Sequence, residues 1–341
     1  MSQAALRTRW ETPQTRRHAA AAMAALLAGR QPAEVGFDPV DGRVDLRGLV
    51  IREPAELRRW STMGMGLVAL ERVSDSINLS ISALARVDFG DGFIPHLHFR
   101  SAGLTDCRFN AARLPDMRTR DSTFNRCSFL GADLAGAALG PGTRFESCDF
   151  RGARLRAVQA DSAAFIGCDF AEAELLEDDF NHCQFQGCHF AGLIKEVRFR
   201  AASWHVDEVT RRLKPPDPDG VKNCDFSKAR LRSVSFEHLN LKDVRFPDDD
   251  EHLALADLRC VLLRLQGQLA RDDSRAARQL SLRVEQQLSA LPRSRSHGYL
   301  SLADLTESAS HSEAEIVVSW VREAAAACAK QERGWLSRLR G

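Results

Sequence analysis

Hydrophobic residues in the middle of this chain recur at intervals of five. Counting from Leu79, they fall at Leu84, Phe89, Ile94, Phe99, Leu104, Phe109 and Leu114, and, past Thr119, at Phe124, Phe129, Leu134 and Leu139. One extra residue in "GPGTR" shifts the count, which resumes at Phe145 and runs through Phe150, Leu155, Ala160, Phe165, Phe170, Leu175, Phe180, Phe185 and Phe190. Two residues before most of these sits a small or sulfur-bearing residue, such as Ala102, Cys107, Ala112, Ser122, Cys127, Ala132 and Ala137. The remaining positions are mostly charged, amide, Gly or Ser. Helices repeat every 3.6 residues and strands every two, so a period of five calls for a backbone that turns a corner every five residues, with two side chains of each five pointing inward.

The pattern sharpens at twenty residues. One face carries Cys107/Phe109, Cys127/Phe129, Cys148/Phe150, Cys168/Phe170 and Cys188/Phe190, and the next carries Ala112/Leu114, Ala132/Leu134, Ala153/Leu155 and Ala173/Leu175. Two faces with different, persistent chemistry require coils of twenty residues stacked in register. After Trp204 the pattern breaks, and Cys224/Phe226 and Ala229/Leu231 then resume the same columns in the same order. The break is therefore an excursion from the coil, over about residues 205–221.

Segments such as "GADLA", "GARLR" and "KARLR" resemble the pentapeptide-repeat family, whose repeat is written A-(D/N)-L-x-x. The resemblance spans residues 77–246. It implies a mainly β fold, a right-handed quadrilateral β-helix with four pentapeptides per coil. About seven coils at the ~4.8 Å spacing of paired strands make a column on the order of 35 Å tall. Among the proteins it resembles are quinolone-resistance members, which act as DNA-shaped decoys on DNA gyrase through projecting loops and a dimerising C-terminus.

A solenoid leaves apolar ends and unpaired strand edges that must be covered. Residues 1–76 read as an N-terminal helical cap, with "TRRHAAAAMAALLAG" as an amphipathic helix closed by Gly29 rather than a secretory signal. Within it, "GRVDLRGLVI" reads as a strand that begins the cap. Residues 77–249 form the β-helix, and 250–341 a helical region that caps the rod or pairs with a copy of itself. In that region "HLALADLRCVLLRLQGQL" places Leu255, Leu258, Leu262, Leu265 and Leu269 on one helix face, and a second helix follows Ser274. "SRSHGYLSLADLTESASH" reads as a polar connection, and Ser312 with Glu315 as the capping box of a last helix.

Charge narrows the function. Lys plus Arg (47) nearly balances Asp plus Glu (46), so no global field points to nucleic acid or to an anionic membrane. No apolar run reaches bilayer-crossing length. The default is a cytoplasmic protein with reduced thiols.

Seven of the nine cysteines (107, 127, 148, 168, 183, 188 and 224) fall at inward small positions. A straight column cannot bring four thiolates together tetrahedrally, and a buried cysteine behaves as a small hydrophobe, so the column reads as packing. His182, Cys183, Cys188 and His189 suggest a metal, but register sends the cysteines inward and the histidines outward. "HLH" (96–98) is split in the same way around Leu97. "GMGLVA" matches a dinucleotide-type string without the βαβ context it needs. No catalytic signature, metal site or cofactor motif follows from the sequence.

Recognition features remain. The excursion combines a helix-like basic stretch, with Val206, Arg211, Arg212 and Lys214, and the stiff turn Pro215-Pro216-Asp217. It reads either as a binding loop or as a tolerated insertion. Acidic residues between Asp161 and Asp179, among them Glu172, Glu174 and Asp179, follow the arginines 144–156, and on stacked coils the two make a salt-bridged surface. Asp178 falls at an inward position, where it bonds coil backbone or marks a bulge. The last helix ends in a basic segment with Trp335.

These features point to a non-catalytic scaffold for a protein partner, with a homodimer through the C-terminal helices as a further possibility and no direct binding of nucleic acid. The alternative is a DNA mimic acting on DNA gyrase or topoisomerase. That alternative needs continuous acidic stripes. The outward column on the cysteine face reads Arg108, Ser128, Asp149, Asp169, His189, Asp225, Arg245, and the leucine face alternates in sign.

Overall fold

The computed structural model describes residues 3–28, 30, 39–50, 77–79, 83–201, 205–206, 213–214, 220–291 and 296–339. Its centre is a four-sided solenoid of parallel strands. Leu104, Phe124, Phe145, Phe165 and Phe185 pair in succession up one wall, so each coil advances twenty residues, or twenty-one across the Gly142 insertion. The next walls run through Phe129 and Leu134 as single-residue bridges, and the fourth runs through Leu139. The Phe124 wall has seven described strands and the Leu139 wall eight.

Corners explain the period. At every fifth residue from Arg86 to Arg126 the backbone is left-handed, with φ between 48° and 56°. Residues that tolerate this region, Asp, Ser and Gly above all, crowd these positions. Between corners, the small and large inward residues meet at the axis. Phe89, Phe109, Phe129, Phe150, Phe170 and Phe190 stack face to face at centroid distances of 4.9–5.1 Å. The Phe124 column does the same and meets the first edge-on, as in Phe145 against Phe150 at 70°. Such pairs add about 0.5–1.5 kcal/mol each beyond their buried area.

One irregularity escapes a count by fives. Left-handed corners fall at Gly192 and then at Glu196, only four residues later, and Ile194 rather than Lys195 pairs with Leu175. The loss of one residue is absorbed as a register shift between His189 and Ala191.

Both ends are closed. Helices α1 (Gln3–Thr8) and α2 (Pro13–Leu27) flank Trp10, which is buried with Ala19, Ala22 and Met23 of α2 in the same core as the phenylalanines. Gly29, expected to close α2, and "GMGLVA" lie outside the described residues. Val44–Asp45 pairs in parallel with Val87–Asp88, and Val50 bridges Phe93, so this segment is laid in as a rung of the coil itself.

The C-terminal region corrects three expectations. His252–Leu255 is a strand antiparallel to Gly298–Ser301, so helix α3 (Leu258–Leu269) starts later than its hydrophobic spacing suggests, capped by Asp257. The stretch expected to be a polar connection contains that second strand and helix α5 (Leu302–Thr306). Helix α4 (Arg275–Ala290) follows its Ser274 cap, and α6 (His311–Leu339) is capped two residues earlier than expected. There Ser310 N donates to Glu313 Oε2 at 2.9 Å and Glu313 N to Ser310 Oγ at 3.4 Å. The box sits at 310/313 because α6 already begins at His311.

Candidate interaction surface

The excursion leaves the solenoid at one corner. Arg198–Arg200 still pairs with Ser235–Glu237 on the Leu139 wall, and Phe185 pairs with Val221 on the Phe124 wall. Phe185 N donates to Gly220 O, and Ala201 N to Glu237 O at 3.0 Å. Coil therefore stacks directly on coil beneath the excursion, which emerges between Ala201 and Gly220. Its base is an antiparallel hairpin in which His205 pairs with Lys214 and Val206 with Leu213. Strand pairing at Leu213–Lys214 replaces the helix-like segment expected there. Arg211, Arg212, Pro215, Pro216 and Asp217 lie outside the described residues.

The acidic candidates are not gathered into one site. Glu174 lies 3.6 Å from Arg154, and Asp179 2.9 Å from Arg198. Glu172 stands exposed at a left-handed corner, φ 56°, with no ion pair among the described residues. Trp335 falls within α6, with its side chain outside the described residues. Around these candidates, Arg151 lies 2.8 Å from Asp149 and 3.9 Å from Asp169, and Arg156 3.1 Å from Glu177. His189 and His182 point outward to Asp169 and Asp161, each at 3.1 Å. The side chain of Arg151 holds the Asp149 carboxyl below the usual carboxylate range. Exposed pairs of this kind stabilise by about 0–1 kcal/mol each, but together they cancel the local field.

The cysteines form a wall. Cys107, Cys127, Cys148, Cys168, Cys183, Cys188 and Cys224 are buried free thiols. Cys148, Cys168 and Cys188 donate at 3.3–3.4 Å to the carbonyls of Phe124, Phe145 and Phe165 in the preceding coil. Burial pushes the Cys183 thiol up to about 12. Among the described residues, no group of three or more His, Cys, Asp and Glu is placed to hold a metal ion.

Two features were not legible. Cys260 and Cys328 form a disulfide that ties α3 to α6, which corrects the expectation of uniformly reduced thiols. Sixty-eight residues separate them, and only the packing of two helices brings them together. Tyr299, the single tyrosine of the chain, covers the top of the phenylalanine column from a stretch read as polar.

Asp178 is 1% exposed in a column of Val158, Val197 and other apolar residues. Its Oδ1 accepts from Val158 N at 2.7 Å, where the equivalent Ala137 N donates to Leu134 O. Its Oδ2 has no hydrogen-bond partner among the described residues. Burial raises this carboxyl to about 8, which favours its protonated form at neutral pH.

Fold and surface together define a capped pentapeptide-repeat β-solenoid with a two-stranded hairpin inserted between Ala201 and Gly220. No protein-family model and no curated protein matches the chain. Among solved structures, full-length QnrB1, described as a plasmid-mediated fluoroquinolone resistance protein, is 14% identical, with 44% of this chain and 72% of that one covered and a TM-score of 0.27. HetL, described as a pentapeptide repeat protein involved in heterocyst differentiation regulation from the cyanobacterium Nostoc sp., is 14% identical over 50% of this chain and 85% of its own, with a TM-score of 0.20. Likeness at these values decides nothing further, and the fold assignment rests on the chain's own twenty-residue register. No described helix is long and apolar enough to cross a membrane.

Proposed function

We propose that this chain is a non-catalytic scaffold that binds a protein partner through the hairpin excursion between Ala201 and Gly220. The observation that carries this reading is the closure of the coil beneath the excursion, with Phe185 on Val221 and Phe199 on Phe236. The solenoid does not need the hairpin to continue its register, whereas a projecting loop on a rigid rod suits recognition. The helical end contributes less to this reading, since Leu262, Leu265, Leu280, Val317 and Val321 are buried in its own core.

The gyrase-decoy alternative is not favoured. A duplex mimic needs unbroken negative columns. Here Asp88 lies 4.0 Å from Arg108, Asp133 3.9 Å from Arg154, and Asp225 3.6 Å from Arg245, so the walls answer their own acids. The reading is tested by replacing residues 202–219 with a short turn and comparing partner capture by the two proteins.

A further inference from the structure

Arginines on most of the solenoid have a carboxylate at hand. Arg126 lies 2.9 Å from Asp106, Arg144 3.0 Å from Glu146, Arg198 2.9 Å from Asp179 and Arg230 2.9 Å from Glu251. The lower part of the Leu139 wall departs from this. Strands Leu97–Arg100 and Arg118–Arg120 pair in parallel, with His98 beside Arg118 and Arg100 beside Arg120. Leu97, Phe99, Met117 and Thr119 take the buried inward positions, which leaves these four side chains on the outer surface.

Paired positions on adjacent strands are ~4.8 Å apart and alternate positions on one strand ~6.6 Å apart. Three guanidiniums and an imidazole thus share a rectangle of roughly 5 by 7 Å at their Cα positions. Among the described residues Arg100 and Arg118 have neither an ion pair nor a side-chain hydrogen bond. Among the same residues Arg120 has only Asp121, at 3.9 Å with both side chains about 60% exposed, and the nearby Asp116 is 3.4 Å from His96. Like charges held side by side on adjacent strands repel, so a patch without a carboxylate among the described residues works against the fold. The rung above supplies Ala138, Leu139 and Gly140, whose outward positions carry no side chain able to cover the arginines.

We propose that Arg100, Arg118, Arg120 and His98 form a binding site for a phosphoryl oxyanion of phosphate or diphosphate size. Guanidinium forks match phosphoryl oxygens in geometry as well as in charge. Burial, with Arg118 close by, lowers the pKa of His98, and the imidazole keeps an N–H to donate to the same anion even when neutral. The outward positions of this wall, from Asn78 and His98 through Gln159 and Asp179 to Ser235, carry no Phe, Tyr or Trp on which a base could stack. Recognition therefore ends at the phosphoryl group, which disfavours a single-stranded nucleic acid.

The test is calorimetric titration of the full chain at physiological ionic strength with two probes separately, inorganic pyrophosphate and a phosphoserine peptide. The double variant Arg100→Gln/Arg118→Gln is compared with Arg271→Gln/Arg278→Gln, which removes the same charge from exposed positions in the helical region. At least one probe is expected to bind the native protein, tenfold or more weaker to the first variant and within twofold of native to the second. Pyrophosphate binding alone assigns a free anion, and peptide binding alone a protein-borne one. The unliganded Arg100→Gln/Arg118→Gln protein is expected to melt no lower than native, because repulsion has been removed. Binding of neither probe, or equal weakening in both variants, overturns the site.

Discussion

Tyr299 stacks on Phe246, with ring centroids 5.1 Å apart and planes 22° from parallel. The last ring of the solenoid's aromatic column is therefore donated by the C-terminal region, some fifty residues further along the chain. Tyr299 also donates its hydroxyl to Val234 O at 2.9 Å. Its neighbour Leu300 turns the other way, into the core of α3, α4 and α6. One strand thus belongs to two hydrophobic cores, and the cap and the rod are joined through it.

Replacing Tyr299 by Ala removes the buried ring and is expected to cost about 3–5 kcal/mol. Tyr299→Phe loses only the hydroxyl and leaves Val234 O without its donor, at about 1–2 kcal/mol. Denaturant unfolding followed by far-UV circular dichroism measures both. In the Ala variant the helical region is expected to melt at lower denaturant than the solenoid, and a single unchanged transition would contradict the coupling.

Asp178 makes stability depend on pH in a defined direction. Its folded pKa of about 8 lies above the ordinary carboxyl value, so between pH 4 and 8 the folded chain holds a proton that the unfolded chain has released. Its contribution is therefore most favourable below pH 4 and declines as pH rises to 8, by at most about 1.4 kcal/mol per pH unit. Asp178→Asn keeps an acceptor for Val158 N without the charge. The variant is expected to be more stable than native at pH 8 and equal to it near pH 4, as read by thermal melts across that range.

The disulfide divides the cysteines into two kinds. Cys260→Ala with Cys328→Ala is expected to lower the stability of the oxidised protein by about 2–4 kcal/mol and to leave the reduced protein nearly unchanged. The seven solenoid thiols are expected to resist a thiol reagent in native buffer and to react fully in denaturant. Rapid modification of Cys127 or Cys168 in the folded protein would contradict their role as packing.

Neutralised walls bear on the gyrase alternative. The purified protein is expected to give no dose-dependent protection of gyrase supercoiling against a quinolone, even at high molar excess. Protection would show that recognition of the decoy type survives mixed charge.

The repeat was legible because its physics is local. Each coil needs the same inward pair at the same spacing, so Phe109, Phe129 and Phe150 announce themselves one after another. The salt-bridged surface follows from the same ruler, once Arg154 is known to sit one coil below Glu174. What escaped depends on partners distant in sequence. His252–Leu255 has helical spacing of its apolar residues but becomes a strand because Gly298–Ser301 is there to pair with it. Cys260 meets Cys328 only through helix packing. The four-residue step from Gly192 to Glu196 is hidden because Leu193, Ile194 and Lys195 can be counted in either register. The patch around Arg118 also needs the coil register, because His98 and Arg100 lie twenty residues earlier.

The central claim, that recognition is carried by the hairpin between Ala201 and Gly220, is tested most directly by affinity capture with the native chain and with a variant whose residues 202–219 are replaced by a short turn. The variant is expected to keep the native circular dichroism, since Phe185 already pairs with Val221 beneath the excursion, and to lose the partner that the native chain retains. Retention of the same partner by a folded variant would contradict the claim.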